Sequence, residues 1–257
     1  MAVAKQRLQQ NFSRAAAEYD SRAQFQHTQI RRVLDAALMT FPETATVADI
    51  GCGTAFFAAE AGKARPNWNI LGIDIAIGMC DVASTRCSAI AGDATRLPLA
   101  DESVDAAVSS LCYQWVDDQP AAFAELERVM KPGARTIISS LGSQTLVEMR
   151  ACAMNVDLPL NLLPMRSFDS TATALETAGL DIAFRERRVV VNHYASVSAL
   201  IQSIRAIGAG NNFETAPRGL LSPKRWAAFV AAYEAGRGEY GIPATWDHHF
   251  FVLHKPK

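Results

Sequence analysis

Apolar positions in the first forty residues recur every third or fourth place. Leu8, Phe12, Ala15, Tyr19, Ala23, Ile30, Val33, Leu34 and Ala37 keep that spacing, so residues 5–38 are predicted to be helical, with Pro42 ending the stretch. The period then changes. Short β-rich runs at 46–50, 69–74, 88–91, 104–110 and 134–140 alternate with helix-like segments at 56–64, 78–84 and 119–130. Such alternation makes βαβ units and a parallel, doubly wound sheet. After Gly142 a long helical or irregular stretch leads through 171–178 to Gly179. Residues 180–194, which include Val189-Val190-Val191, are predicted to be a long strand. Residues 196–207 predict an amphipathic helix capped by Ser196 and stopped by Gly208. Residues 222–238 predict another, with Pro223 in its first turn, and a strand near 246–254 closes the chain.

No stretch is rich enough in Pro, Gly or Ser to act as a linker, so residues 1–257 are expected to form one domain. It divides into N-terminal helices (1–41), a core (42–142) and a C-terminal half (143–257) with a helical insertion at about 195–243. With 49% hydrophobic and 20% charged residues, collagen-like, disordered and disulfide-scaffold classes are excluded. The 25 Lys+Arg against 26 Asp+Glu argue against a uniformly basic nucleic-acid binder. That balance is uneven along the chain: residues 42–142 carry 7 basic and 13 acidic residues, leaving the flanks net basic. No apolar run approaches the ~20 residues that span a bilayer, and the polar N-terminus has no signal-peptide core. Five scattered cysteines without a C-x-x-C pair suggest reduced thiols and a cytoplasmic location.

The strongest chemical signal follows the first strand, in Asp49-Ile50-Gly51-Cys52-Gly53-Thr54-Ala55. Gly51 and Gly53 let the backbone approach a ligand where a strand turns into a helix. The G-x-G-x-x-G dinucleotide pattern fails at Phe56, and no Gly-Lys-Ser/Thr loop for a nucleoside triphosphate is present. Asp74 ends the second strand, where a carboxylate can accept both ribose hydroxyls. Gly92-Asp93-Ala94 follows the third, where a carboxylate can take an exocyclic amine. Leu97-Pro98-Leu99, Ser103-Val104-Asp105 and Met130-Lys131-Pro132-Gly133 continue the series.

In this order, over roughly 45–142, the chain resembles the class I S-adenosylmethionine-dependent methyltransferases. The resemblance implies a doubly wound, mostly parallel seven-stranded α/β sheet with N-terminal helices and a helical lid insertion before the last strand. It assigns Asp49, Gly51 and Gly53 to the methionine part of S-adenosyl-L-methionine, Asp74 to the ribose, and Asp93 with Ala94 to the adenine. Met79 would pack on the adenine, and Ile75 and Leu111 complete the set. An NAD enzyme competes, because it too uses an acid after the second strand.

The flanks narrow the substrate. Phe12, Ala15-Ala16, Tyr19-Asp20, Ala23 and Gln26 are similar to the opening of the malonyl-acyl carrier protein O-methyltransferases of biotin synthesis. Tyr113-Gln114-Trp115, Leu200–Ala209, Arg218-Gly219-Leu220-Leu221 and Lys255-Pro256 fit the same family. What this implies is methyl transfer to the free carboxylate of malonyl on acyl carrier protein, without a metal, nucleic acid or membrane. A carboxylate is already ionised at neutral pH, so no general base is needed. A fork-shaped arginine would hold it. Arg166 is the first expectation for that cation, with Arg150 and Arg205 in reserve. Tyr19 is expected either to close over the cofactor or to orient the carboxylate through its hydroxyl, Gln26 to touch the cofactor's amino-acid end, and Phe12, Gln114 and Trp115 to form the substrate pocket. Alternatives are a methyltransferase for a quinone or a free carboxylic acid, and a non-catalytic cofactor- or carrier-binding module. Adjacent His248 and His249 point to opposite faces of a strand and so make no metal site. Cys52 is expected to pack as a small apolar residue, and Arg185–Arg188 to be a solvated strand.

Overall fold

In the computed structural model, which describes residues 2–158, 160, 162–207, 209 and 222–257, strand alternation decides what packs on each side of the sheet. β1 (Ala45–Ile50), β2 (Trp68–Asp74), β3 (Ser88–Ala91), β4 (Val104–Ser110) and β5 (Met130–Leu141) are parallel. β6 (Asp181–Tyr194) and β7 (Ile242–His254) complete the order β3-β2-β1-β4-β5-β7-β6, with β7 antiparallel to both its neighbours. Ala48, Ala107, Ile138 and Phe251 face one side. There they meet Phe123 and Leu126 of α6 (Gln119–Val129) and Leu175 of α8 (Phe168–Thr177). Val47, Ala106, Ile137 and Phe250 face the other. That face packs on Val33 and Leu34 of α3 (Gln24–Thr40) and on Phe57 and Ala58 of α4 (Phe56–Ala64). A strand buried on both faces must be apolar at every position, which is why these runs read as continuous rather than alternating.

The order turns back on itself between β1 and β4, where β1 is flanked by both β2 and β4. Loops leaving the carboxyl ends of these two strands diverge and open a crevice. α5 (Ile77–Ala83) follows β2 on one side of it. On the other side, α7 (Val147–Asn155), α9 (Val197–Ala206) and α10 (Pro223–Glu234) bury Met149, Leu200, Ile201, Ile204, Phe229 and Tyr233 together as a separate apolar cluster. Ser196 caps α9 by accepting from the Ala199 N–H at 3.1 Å, as its sequence predicts. The Gly208 stop and the Arg218–Leu221 motif lie outside the described residues.

Two local expectations are corrected. The helix predicted over 5–38 is broken into α1 (Ala2–Ala15), a 3-10 turn (Ala16–Glu18), α2 (Tyr19–Arg22) and α3. Its apolar spacing persists through the bends because Ala16 and Ala23, both buried, are small enough to let the backbone turn against the core. The run 185–188 is not simply solvated: Arg187 Nε donates to Oδ1 of the fully buried Asp247 at 2.7 Å.

Candidate functional site

The first glycine loop owes its shape to residues that tolerate the left-handed region. Gly51 and Gly53 have φ of 74° and 55°, and Ala55, where a glycine is missing, has φ of 58°. A side chain at Gly51 would run into Cys112, which follows β4 across the crevice. The Gly51 N–H donates to the Ile73 carbonyl at 2.7 Å, tying the loop to β2. At the end of β2 the Asp74 carboxylate accepts from the Gly53 N–H at 2.9 Å and from the Ala76 N–H at 2.8 Å. Asp74 is thereby fixed beside the loop.

A cavity of about 1670 Å³ opens over these strand ends. A single small-molecule site occupies roughly 300–1,000 Å³, so this one has room for two ligands side by side. Gly51, Gly53, Asp74, Ile75 and Met79 line it. So do Asp93, Ala94, Leu111 and Gln26. Asp49 stands one step behind the lining, 4% exposed. Burial, with the neighbouring charge of Asp74, pushes the Asp49 carboxyl up to about 7. Burial raises Asp74 as well, against the lowering by its backbone hydrogen bonds. Burial also works on Asp93, but Lys5 and the Thr95 N–H outweigh it and hold that carboxyl low. Lys5 of α1 forms an ion pair with Asp93. Two buried acids held above their ordinary range favour any ligand that brings positive charge.

Tyr19, Phe12, Gln114 and Trp115 line the same cavity. Phe12 and Trp115 meet edge to face with ring centroids 5.5 Å apart, bringing α1 against the short 3-10 turn after β4. Burial, then the charges of Asp74 and Asp20, raise the Tyr19 phenol well above its ordinary value, so it is a proton-bearing donor. The buried Gln114 accepts from the Ser140 hydroxyl at 3.2 Å through Oε1, which leaves its amide N–H groups for a ligand.

Arg166 does not line the cavity. Its carbonyl accepts from the Ser143 N–H at 3.0 Å, and the run into the α8 cap, Ser167, turns Leu163, Pro164 and Met165 to the cavity instead. Arg150 is a brace: its guanidinium donates to the carbonyls of Thr145 at 2.9 Å and Leu163 at 3.3 Å. Of the three arginines considered, Arg205 is the one at the cavity, at the end of α9, which packs against α2 and hence beside Tyr19's helix. Lys5, Cys112, Thr145, Leu146 and Met165 also contribute and were missed. Apart from Cys112, which adjoins Tyr113-Gln114-Trp115, they come from segments with no motif, and Leu146 reaches the site through a left-handed backbone (φ 58°) that nothing in its residue type signals.

Fold and strand-end site together define a class I methyltransferase. A family model described as "Methyltransferase domain" matches residues 48–138. The malonyl-[acyl-carrier protein] O-methyltransferase of Xylella fastidiosa is 32% identical over 93% of this chain and 84% of its own length. The chain belongs to the malonyl-[acyl-carrier protein] O-methyltransferase family. The biotin biosynthesis bifunctional protein BioHC of Cellvibrio japonicus is 37% identical over 99% of the chain, which spans 51% of that longer protein. Among solved structures, a phosphoethanolamine N-methyltransferase 2 from Haemonchus contortus superposes with a TM-score of 0.57 at 16% identity. That match covers 90% of this chain and 53% of the other, which was solved with S-adenosylhomocysteine. Among the described residues no helix is long and apolar enough to cross a membrane, and no group of three or more His, Cys, Asp or Glu is placed to hold a metal.

Proposed function

We propose that this chain transfers the methyl group of S-adenosylmethionine to the free carboxylate of malonyl carried on acyl carrier protein, giving the methyl ester that primes biotin synthesis. The observation that carries it is one cavity, large enough for two ligands, lined by both the Asp74–glycine-loop cradle and Arg205 beside the helix of Tyr19. The residues fit the cofactor. Asp74 is oriented by two N–H groups at a ribose position, Met79 offers an apolar face, and buried Asp49 and Asp74 suit a cationic ligand. The cofactor when bound supplies an electrophilic methyl on a sulfonium.

The protein's own part is placement. The Tyr19 phenol donates to the substrate carboxylate, and Arg205 balances its charge without taking or giving a proton. The amide N–H groups of Gln114 offer further donors, while Trp115, Leu146, Leu163 and Ile204 line the space with apolar surface and exclude water. Arg14 and Arg205 bring positive charge to the cavity, which suits an acidic carrier protein. Five free thiols suit the reducing cytoplasm.

Methyl transfer measured on malonyl-carrier protein, malonyl-coenzyme A and free malonate tests the substrate. Transfer preferring the carrier protein is expected, and transfer to none of the three refutes the proposal. Arg205→Ala should raise KM for the malonyl substrate about tenfold or more, from loss of a charge-assisted contact, with cofactor affinity unchanged. Arg166→Ala should leave both near wild type. The opposite pattern would return the carboxylate to Arg166.

A further inference from the structure

α1, the 3-10 turn and α2 form an arm that lies across the cavity and contributes Phe12 and Tyr19 to its lining. Besides the Lys5–Asp93 ion pair and the Phe12–Trp115 contact of α1, a closed set of three groups fastens the arm at α2. Asp20, next to Tyr19 in α2, accepts through Oδ1 from the Thr54 hydroxyl at 2.6 Å and through Oδ2 from Arg86 Nη2 at 2.6 Å. Arg86 Nη1 donates in turn to the Thr54 carbonyl at 3.0 Å. His27 Nε2, from α3, is 3.5 Å from Asp20 Oδ1. Thr54 is 2% exposed and lies between Gly53, the donor to Asp74, and the left-handed Ala55. Asp20 itself does not line the cavity. Another anchor lies further up the arm. A Cβ at Gly78 of α5 would come within 2.7 Å of the Ser13 carbonyl oxygen, and the Gly78 N–H donates to Ser13 Oγ at 3.2 Å.

We infer that Asp20 is a positioning residue, the latch that fastens the arm to the first glycine loop and so sets Tyr19 over the bound cofactor. The same loop that cradles the cofactor supplies the receptor for the latch, in the Thr54 hydroxyl and carbonyl. Order in the loop and closure of the arm are therefore one event. Acting through Tyr19 and the arm, Asp20 controls how readily the cofactor leaves.

This rests on the cavity's assignment to an S-adenosyl ligand, so the probe is S-adenosylhomocysteine alone, with no acyl substrate. Its equilibrium binding and its dissociation rate would be measured on wild type, Asp20→Ala, Arg86→Ala and the double variant, with melting temperatures recorded beside them. Asp20→Ala should weaken binding about tenfold, the scale of a hydrogen bond to a charged group, chiefly through faster dissociation. Arg86→Ala should weaken it about threefold, and the double variant should be no worse than Asp20→Ala, because both remove one closed set. Should Asp20→Ala not fold, Arg86→Ala, whose side chain is part exposed, still reads the latch through the dissociation rate. Dissociation unchanged in both single variants, or a double variant that is the sum of the singles, overturns the inference. A purely structural role would lower the melting temperature and leave dissociation alone. Wild type that fails to bind the probe instead overturns the cofactor assignment.

Discussion

Replacing Asp49 by asparagine should make the ligand-free protein more stable and the cofactor bind more weakly. Asp49 is 4% exposed, next to the end of β1, and burial with the nearby Asp74 charge raises its carboxyl from 3.8 to about 7. With the folded-state value above the unfolded one, the folded chain holds the extra proton between about pH 4 and 7. The stabilisation that this proton confers is complete below about 4 and is lost as pH rises through about 7. A shift of about three units corresponds to about 4 kcal/mol, an upper figure because Asp49 and Asp74 titrate as a pair. At pH 8 the wild-type protein bears that cost in full, and Asp49→Asn removes it. Allowing half to be recovered, about 2 kcal/mol, the melting temperature at pH 8 should rise by about 4–8 °C, and the gain should vanish by pH 4.

The same charge that destabilises the empty site serves the filled one. At an effective dielectric of 20, unit charges roughly 5 Å apart attract by about 3 kcal/mol, the scale an ionised Asp49 would offer a cation in the cavity. The variant should therefore bind S-adenosylmethionine about a hundredfold more weakly at pH 8. In wild type, binding should strengthen as pH rises from 6 to 8 and release a proton near pH 7, whereas in Asp49→Asn both effects should shrink. Differential scanning fluorimetry across pH and titration calorimetry in two buffers of different ionisation enthalpy give every quantity. A variant that melts no higher than wild type at pH 8 and binds the cofactor equally well would refute the reasoning, because Asp49 would then carry neither cost nor attraction.

Two predictions concern the seam where β7 packs between β5 and β6. A Cβ at Gly142 would fall on the His249 ring and within 2.6 Å of Asp247 Oδ2, so Gly142→Ala should destabilise the fold by about 1–3 kcal/mol in urea unfolding, as overpacked buried sites do. Arg187→Ala strips the partner from the fully buried Asp247, whose carboxylate also accepts from the Gln144 N–H at 3.0 Å. With Arg187 itself part exposed, a loss of about 2 kcal/mol is expected at pH 7. Burial raises the Asp247 carboxyl, but the hydrogen bonds from Arg187 and Gln144 outweigh it and hold it low. The stability it contributes is present above the unfolded value and lost as pH falls through the folded one, so wild type and variant should converge in acid.

These predictions divide along a line that also separates what the sequence reveals from what it hides. Asp74 and Gly53 were legible because each sits at a strand end, where the βαβ repeat fixes both position and direction. One register of β1 against β2, Asp49 opposite Gly72, brings the glycine loop to the carboxylate without any contribution from distant chain. Arg205 and Arg166 were not separable in that way. Both lie beyond β5, in segments whose placement depends on how α7, α8 and α9 pack and not on a strand end. Asp20 falls between the two cases. It was visible as part of Tyr19-Asp20, yet its work depends on Thr54 and Arg86, 34 and 66 residues away. The recurring helical spacing of residues 5–38 concealed the bend that carries it there. The cofactor half is thus written in local geometry and the substrate half in tertiary packing. Substitutions that shift α7, α9 or α10 should accordingly change which acid is methylated, read by competing acyl substrates, before they change whether the methyl donor binds.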